Sequence, residues 1–109
     1  MFDAEYFRSL LQADVDAMGG TALVTVHLLG GRTHRLRAID AVHAGYVAAE
    51  AYQQRADGPA REPRWQESTS AGGPPLPTER AVISYEAVVD VTITAARVES
   101  GAGIGFGRP

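Results

Sequence analysis

The stretch Ala22–Ile39, ALVTVHLLGGRTHRLRAI, decides the fold of this chain. Val24, Val26 and Leu28 alternate with Thr25 and His27, the period of a strand with one buried face. Beyond Gly30 and Gly31, Leu36 and Ala38 alternate with Arg35 and Arg37. A loop of Gly30 and Gly31 alone would set Val26 opposite Arg35 and Val24 opposite Arg37, mixing the two faces. A three-residue loop, Gly30-Gly31-Arg32, sets Val26 opposite Leu36 and Val24 opposite Ala38, leaving Thr25 and His27 beside Arg37 and Arg35. One face of the hairpin is then apolar and the other polar. A one-residue slip would turn the buried face to water, so the pattern forbids it. Such loops use a residue with positive φ, which either glycine supplies.

Outward from the hairpin, Asp3 to Met18 predicts a helix, with Asp3 as N-cap and Glu5 favourably placed in the first turn. Phe7, Leu10, Leu11, Val15 and Met18 form its apolar face, and Gly19-Gly20 stops it. A helix of this length is marginal alone in water and must pack on the sheet. Asp40 to Ala44 predicts a bend. Gly45 to Tyr52 then predicts a third strand, with Val47, Ala49 and Ala51 on one face against Tyr46, Glu50 and Tyr52. A helix over 41–54 competes, since alanine and glutamate favour it, but Gly45 and the tyrosines suit a pleated surface better. Residues 54–79 carry five prolines, at 59, 63, 74, 75 and 77, and predict a long insertion loop around Trp65, the only tryptophan. A strand over Ala81–Tyr85, a corner at Glu86-Ala87 and a strand over Val88–Ile93, with Val89, Val91 and Ile93 on one face, complete a domain spanning 1–97. Glycines at 101, 103, 105 and 107 make 98–109 a flexible tail.

Composition narrows the function classes. A chain of 109 residues with 45% hydrophobic content is one domain with a modest core. With no cysteine, disulfides and thiolate metal sites are excluded. No run approaches the length of a membrane span, and the acidic start Met1-Phe2-Asp3-Ala4-Glu5 lacks the layout of a signal peptide, so a cytoplasmic protein is expected. All ten basic residues are arginine and lysine is absent, as a GC-rich bacterial genome would encode. The net charge of −3 argues against non-specific nucleic-acid binding, which needs a basic patch.

No residue set asks for an enzyme. His27, His34 and His43 do not converge and lack the helical spacing or carboxylate partners of a metal site, so neither metal nor cofactor is expected. Ser9 and Ser84 stand outside any nucleophile-elbow context, and Asp40, Glu50 and Asp90 are not paired by spacing. The tail GAGIGFG mimics a phosphate loop but follows no strand-to-helix turn; Phe106 within it is a candidate anchor to a neighbouring subunit. His27, Arg35 and Arg37 form the candidate anion- or RNA-binding strip. The competing expectation is a cross-strand ladder in which Glu50 neutralises Arg35 or Arg37. Trp65 either folds back onto the sheet or is buried in a partner, where tryptophan is enriched at hot spots. A small-ligand or enzymatic site at a subunit interface, around His43, Tyr46 and Tyr85, is a further alternative, suggested by residue type.

Helix, three strands, an insertion and two strands about a corner give an α+β chain: an N-terminal helix and a small, strongly bent, five-stranded antiparallel barrel. Leu29-Gly30-Gly31-Arg32, with Leu36, Ala38, Ile39 and Asp40, resembles the first signature of the Sm-like (Hfq-like) proteins, whose small barrel is SH3-like. Ile83 to Val91, ISYEAVVDV, resembles the paired last strands of that fold. The resemblance implies a homo-oligomer built through edge strands, a ring among the possibilities, and a single-stranded RNA ligand in some members. Leu36 stands where the family often has glycine, and no asparagine follows Asp40. The Lys-His pair that contacts RNA in the bacterial members has no counterpart; Ser84-Tyr85-Glu86 stands near its place. The expectation is therefore a non-enzymatic assembly or binding module that self-associates through its sheet edges, an RNA-binding ring being the alternative.

Overall fold

The computed structural model describes residues 2–19, 22–53, 63–66 and 76–95. A helical segment opens the chain. The Asp3 carboxylate accepts the Tyr6 N–H at 3.0 Å, and the Asp3 carbonyl accepts that of Phe7, so the predicted N-cap is in place. Tyr6–Leu10 is wound as a π-helix and continues as helix α1, Leu11–Ala17. Gly19, with φ of 92°, ends it. Phe7, Leu11 and Val15 are buried as predicted, but Leu10 is 50% exposed and Met18 also faces out. The π turn carries more residues than the ~3.6 of an α-helix, so three steps from Phe7 do not return Leu10 to the buried side.

Five strands follow: β1 Ala22–Leu28, β2 Thr33–Val42, β3 Tyr46–Tyr52, β4 Thr78–Ser84 and β5 Val88–Ala95, in the spatial order β4-β3-β2-β1-β5, all antiparallel. Residues 46–52 are strand, not helix. Strand β2 runs through Val42, past the bend expected from Asp40, and β4 begins at Thr78, inside the expected insertion.

The β1–β2 hairpin keeps the predicted faces but not the predicted register. Val24 pairs with Leu36, Thr25 with Arg35 and Val26 with His34, two residues from the expected alignment. The loop still has three residues, but they are Leu29-Gly30-Gly31, closed by the Leu28 N–H on the Arg32 carbonyl at 2.8 Å. Both glycines have positive φ, 89° and 88°, and this loop places them together at its end. A two-residue shift leaves every side chain on its own face, so alternation alone does not distinguish the registers.

Beyond Leu36, β2 leaves β1 and pairs with β3. Leu36 faces Ala51, Ile39 faces Ala49 and Val42 faces Val47, with a bulge in each interval. Each bulge inserts one residue, so the inward positions of β2 recur every third residue and the strand bends sharply. A bulge in the β1–β5 pairing sits between Asp90 and Val88; it turns Val88 inward and leaves Val89 54% exposed, against the expected face.

The chain-consecutive strands β4 and β5 are the two outer edges of the sheet, joined by one 3-10 turn, Tyr85–Ala87. So short a link forces the sheet to curl until its edges approach at that corner. Two expectations are corrected here: the sheet does not close into a barrel, and its last two strands do not pair with each other. The concave face holds the core of Val24, Val26, Leu36, Val47, Ala49, Ala51 and Ile83, covered by Phe7, Leu11 and Val15. Among the described residues no helix is long and apolar enough to cross a membrane.

Candidate functional site

The polar strip lies on the convex face, where β1, β2 and β5 run side by side. His27 Nε2 is 3.1 Å from Thr92 Oγ1 and 3.7 Å from Asp90 Oδ1. Arg37 donates to Glu50 Oε1 at 3.0 Å, and Thr78 Oγ1 donates to the other oxygen of the same carboxylate at 2.8 Å. The Arg37 bulge brings this about, since Arg37 and Ala38 both lie opposite Glu50. The cross-strand neutralisation expected of Glu50 therefore falls on Arg37. Arg35, paired across the ladder with Thr25, is exposed and makes no ion pair among the described residues. The strip is thus three separate groups, two of them beside carboxylates, rather than one cationic surface. Among the described residues no three histidine, aspartate or glutamate side chains are placed to hold a metal ion.

Trp65 takes the folded-back alternative. Its indole is 5% exposed and belongs to the core cluster with Phe7 and Leu11, which leaves little of it for a partner. Where β1 and β2 diverge, the Ala22 and Arg37 carbonyls lose their ladder partners. The Trp65 N–H donates to the first at 2.9 Å and the Gln66 N–H to the second at 2.6 Å. Tyr52 Oη donates to the Arg64 carbonyl at 2.6 Å, so Tyr52 is buried beneath this segment although it lies on the convex face. Phe106, with the whole 98–109 tail, lies outside the described residues, as do most of residues 54–79.

His43, Tyr46 and Tyr85 come together, but as a corner. The His43 and Tyr46 rings stack at 4.5 Å, and buried Tyr85 donates its hydroxyl to the His43 carbonyl at 2.6 Å while stacking on Phe7. His34, half-buried at the hairpin end, has its pKa lowered by desolvation and by Arg32, with Glu79 acting in the opposite sense.

A concavity that pattern alone did not indicate lies between the helix and β2. It encloses ≈ 320 Å³ over Phe7, Leu11, Ala38, Ile39 and Val42, with Arg8, Gln12, Trp65 and Gln66 at its margin. Gln12 Oε1 accepts from both Trp65 Nε1 and Gln66 Nε2, contacts that span 53 and 54 residues and leave no local signal. Comparison with protein-family models, curated proteins and solved structures returns no match.

Proposed function

We propose that this chain is a non-enzymatic assembly module, a curled sheet of Sm-like kind whose copies join edge to edge. The observation that carries this reading is the pair of outer edges, which no strand covers among the described residues. β4 and β5 flank the sheet, each seven or eight residues long, and present Val82 at 63% and Val89 at 54% exposure. Natural edge strands are usually blunted by lysine, proline or a covering element. β4 carries Glu79 and Arg80 near its start but no lysine or proline, and its half from Ala81 to Ser84 is uncharged. Because the two edges belong to different strands, β4 of one copy meets β5 of the next, a heterologous contact that repeats into a ring if the rotation closes. The order of helix, three strands, insertion and two strands about a corner supports the Sm-like kinship. RNA binding by His27, Arg35 and Arg37 gains no such support, since Glu50 and Asp90 stand against two of the three.

Light scattering behind gel filtration tests the reading. The expected mass is a defined multiple of 11.6 kDa, unchanged by a single-stranded RNA oligonucleotide. Val82→Lys with Val89→Lys should reduce it to that of the monomer, because a charge on each edge opposes pairing. A strict monomer at high micromolar concentration in the unaltered protein overturns the proposal. A mass that rises with RNA and falls back with salt would restore the nucleic-acid alternative.

A further inference from the structure

We infer that the concavity between the helix and β2 is a binding site for an amphipathic carboxylate, a molecule with a short apolar chain and one anionic head. Its volume of ≈ 320 Å³ is at the lower end of small-ligand sites. Its floor is apolar: Phe7 and Leu11 from the helical segment, Ala38, Ile39 and Val42 from β2. The β2 bulges create the floor, because they bring Ile39 and Val42 to the same face at a spacing of three.

The polar groups at the margin decide the head group. Gln12 is occupied, its oxygen accepting from Trp65 and Gln66 and its amide donating to Asp16 Oδ1 at 3.0 Å. Arg8 is the only charged residue among the described residues of the lining. Among the described residues its guanidinium makes one ion pair, with Glu5 at 3.8 Å between side chains that are both more than half exposed. That is a weak, solvent-screened pair. Arg8 lines the same concavity as the apolar floor, so a carboxylate bound there would gain a charge-assisted hydrogen bond while its chain gains burial. A fully hydrophilic anion such as phosphate would leave the floor uncovered, and a neutral alkane would leave the cation unused. This site is independent of the sheet edges.

Trp65 reports on the site directly, since it is the only tryptophan and lies in the wall. Sodium octanoate, titrated below its micelle concentration into the full chain, should shift the Trp65 emission saturably. Arg8→Ala, a change at an exposed side chain, should weaken that binding about tenfold, in keeping with loss of a hydrogen bond to a charged group. 1-Octanol, with the same chain and no charge, should bind weaker than octanoate in the unaltered protein and equally well in Arg8→Ala. No saturable shift with octanoate overturns the proposal. So does an octanoate affinity that Arg8→Ala leaves unchanged, which would mean partition into any apolar surface. An emission change on diluting the protein, with octanoate silent, would assign the groove to a second copy and likewise overturn it.

Discussion

Gly30 and Gly45 separate backbone conformation from packing at the scale of one residue. A Cβ at either position would meet no atom within 4 Å, yet Gly30 has φ of 89° and Gly45 does not have positive φ. Gly30→Ala should therefore destabilise the fold by about 1 kcal/mol, the cost of a left-handed L-residue. Gly45→Ala should be neutral or stabilising by up to ~1 kcal/mol, through the lost freedom of the unfolded chain. Urea unfolding of the two variants reads the difference; equal effects would mean that φ is not the cause. His34 sets a pH dependence. Its folded pKa lies below the unfolded value, so folding favours the neutral ring. Stability is then full above about pH 6.5 and falls as the pH drops from there toward the folded pKa, because the unfolded chain takes up the proton first. His34→Gln should remove that part of the slope in the urea midpoint between pH 7 and 5. An ion pair of Glu50 with Arg35 or Arg37 was legible in the sequence as one of two readings, because all three lie on one face of neighbouring strands; that Arg37 is the partner follows from the β2 bulge, which the sequence does not mark. The burial of Trp65 was legible only as one of two outcomes, since its partners Gln12 and Ala22 are remote in the chain.

At the scale of elements, periodicity carried the faces and missed their irregularities. Three of these misses have the same cause, one residue inserted into a regular repeat. The π turn moves Leu10 out of the stripe formed by Phe7, Leu11 and Val15; the β2 bulges change a spacing of two to three; the β5 bulge exchanges Val88 for Val89. None of these insertions has a compositional mark, because what selects them is the shape of the assembled core. The adjacent leucines of the helix give the quantitative test. Leu11 is 1% exposed and Leu10 50%. Leu11→Ala should cost about 2–5 kcal/mol, the loss of buried surface plus a cavity. Leu10→Ala should stay within about 0.5 kcal/mol, as surface changes do. If thermal or urea unfolding gave the two variants equal losses, the π-helical phasing would be wrong and a regular α-helix would replace it.

For the whole molecule, the decisive feature is that two strands adjacent in sequence are farthest apart in the sheet. The sequence read ISYEAVVDV as two strands about a corner, correctly, and the natural inference that they pair was the one the topology reverses. Local pattern shows where a strand is, but which strand neighbours it depends on long-range closure, here β1 pairing with β5 across most of the chain. The curl must then be held at the corner, and Tyr85 is the residue that holds it. Its N–H donates to the Gly45 carbonyl at 3.3 Å and its hydroxyl to the His43 carbonyl, tying the β4–β5 link to the β2–β3 turn, while its ring stacks on Phe7 from the helix. Beside it the Leu29 N–H donates to the Ala87 carbonyl at 2.9 Å, joining the same corner to the glycine loop. Tyr85→Phe keeps the stack and removes one part-buried hydrogen bond, leaving the His43 carbonyl without that donor; it should cost about 1 kcal/mol in urea unfolding. Tyr85→Ala also empties the space against Phe7 and should cost about 3–5 kcal/mol. A Tyr85→Phe variant as stable as the unaltered protein would shift the origin of the curl from this corner to the β2 bulges, which bend the sheet without any side-chain tether.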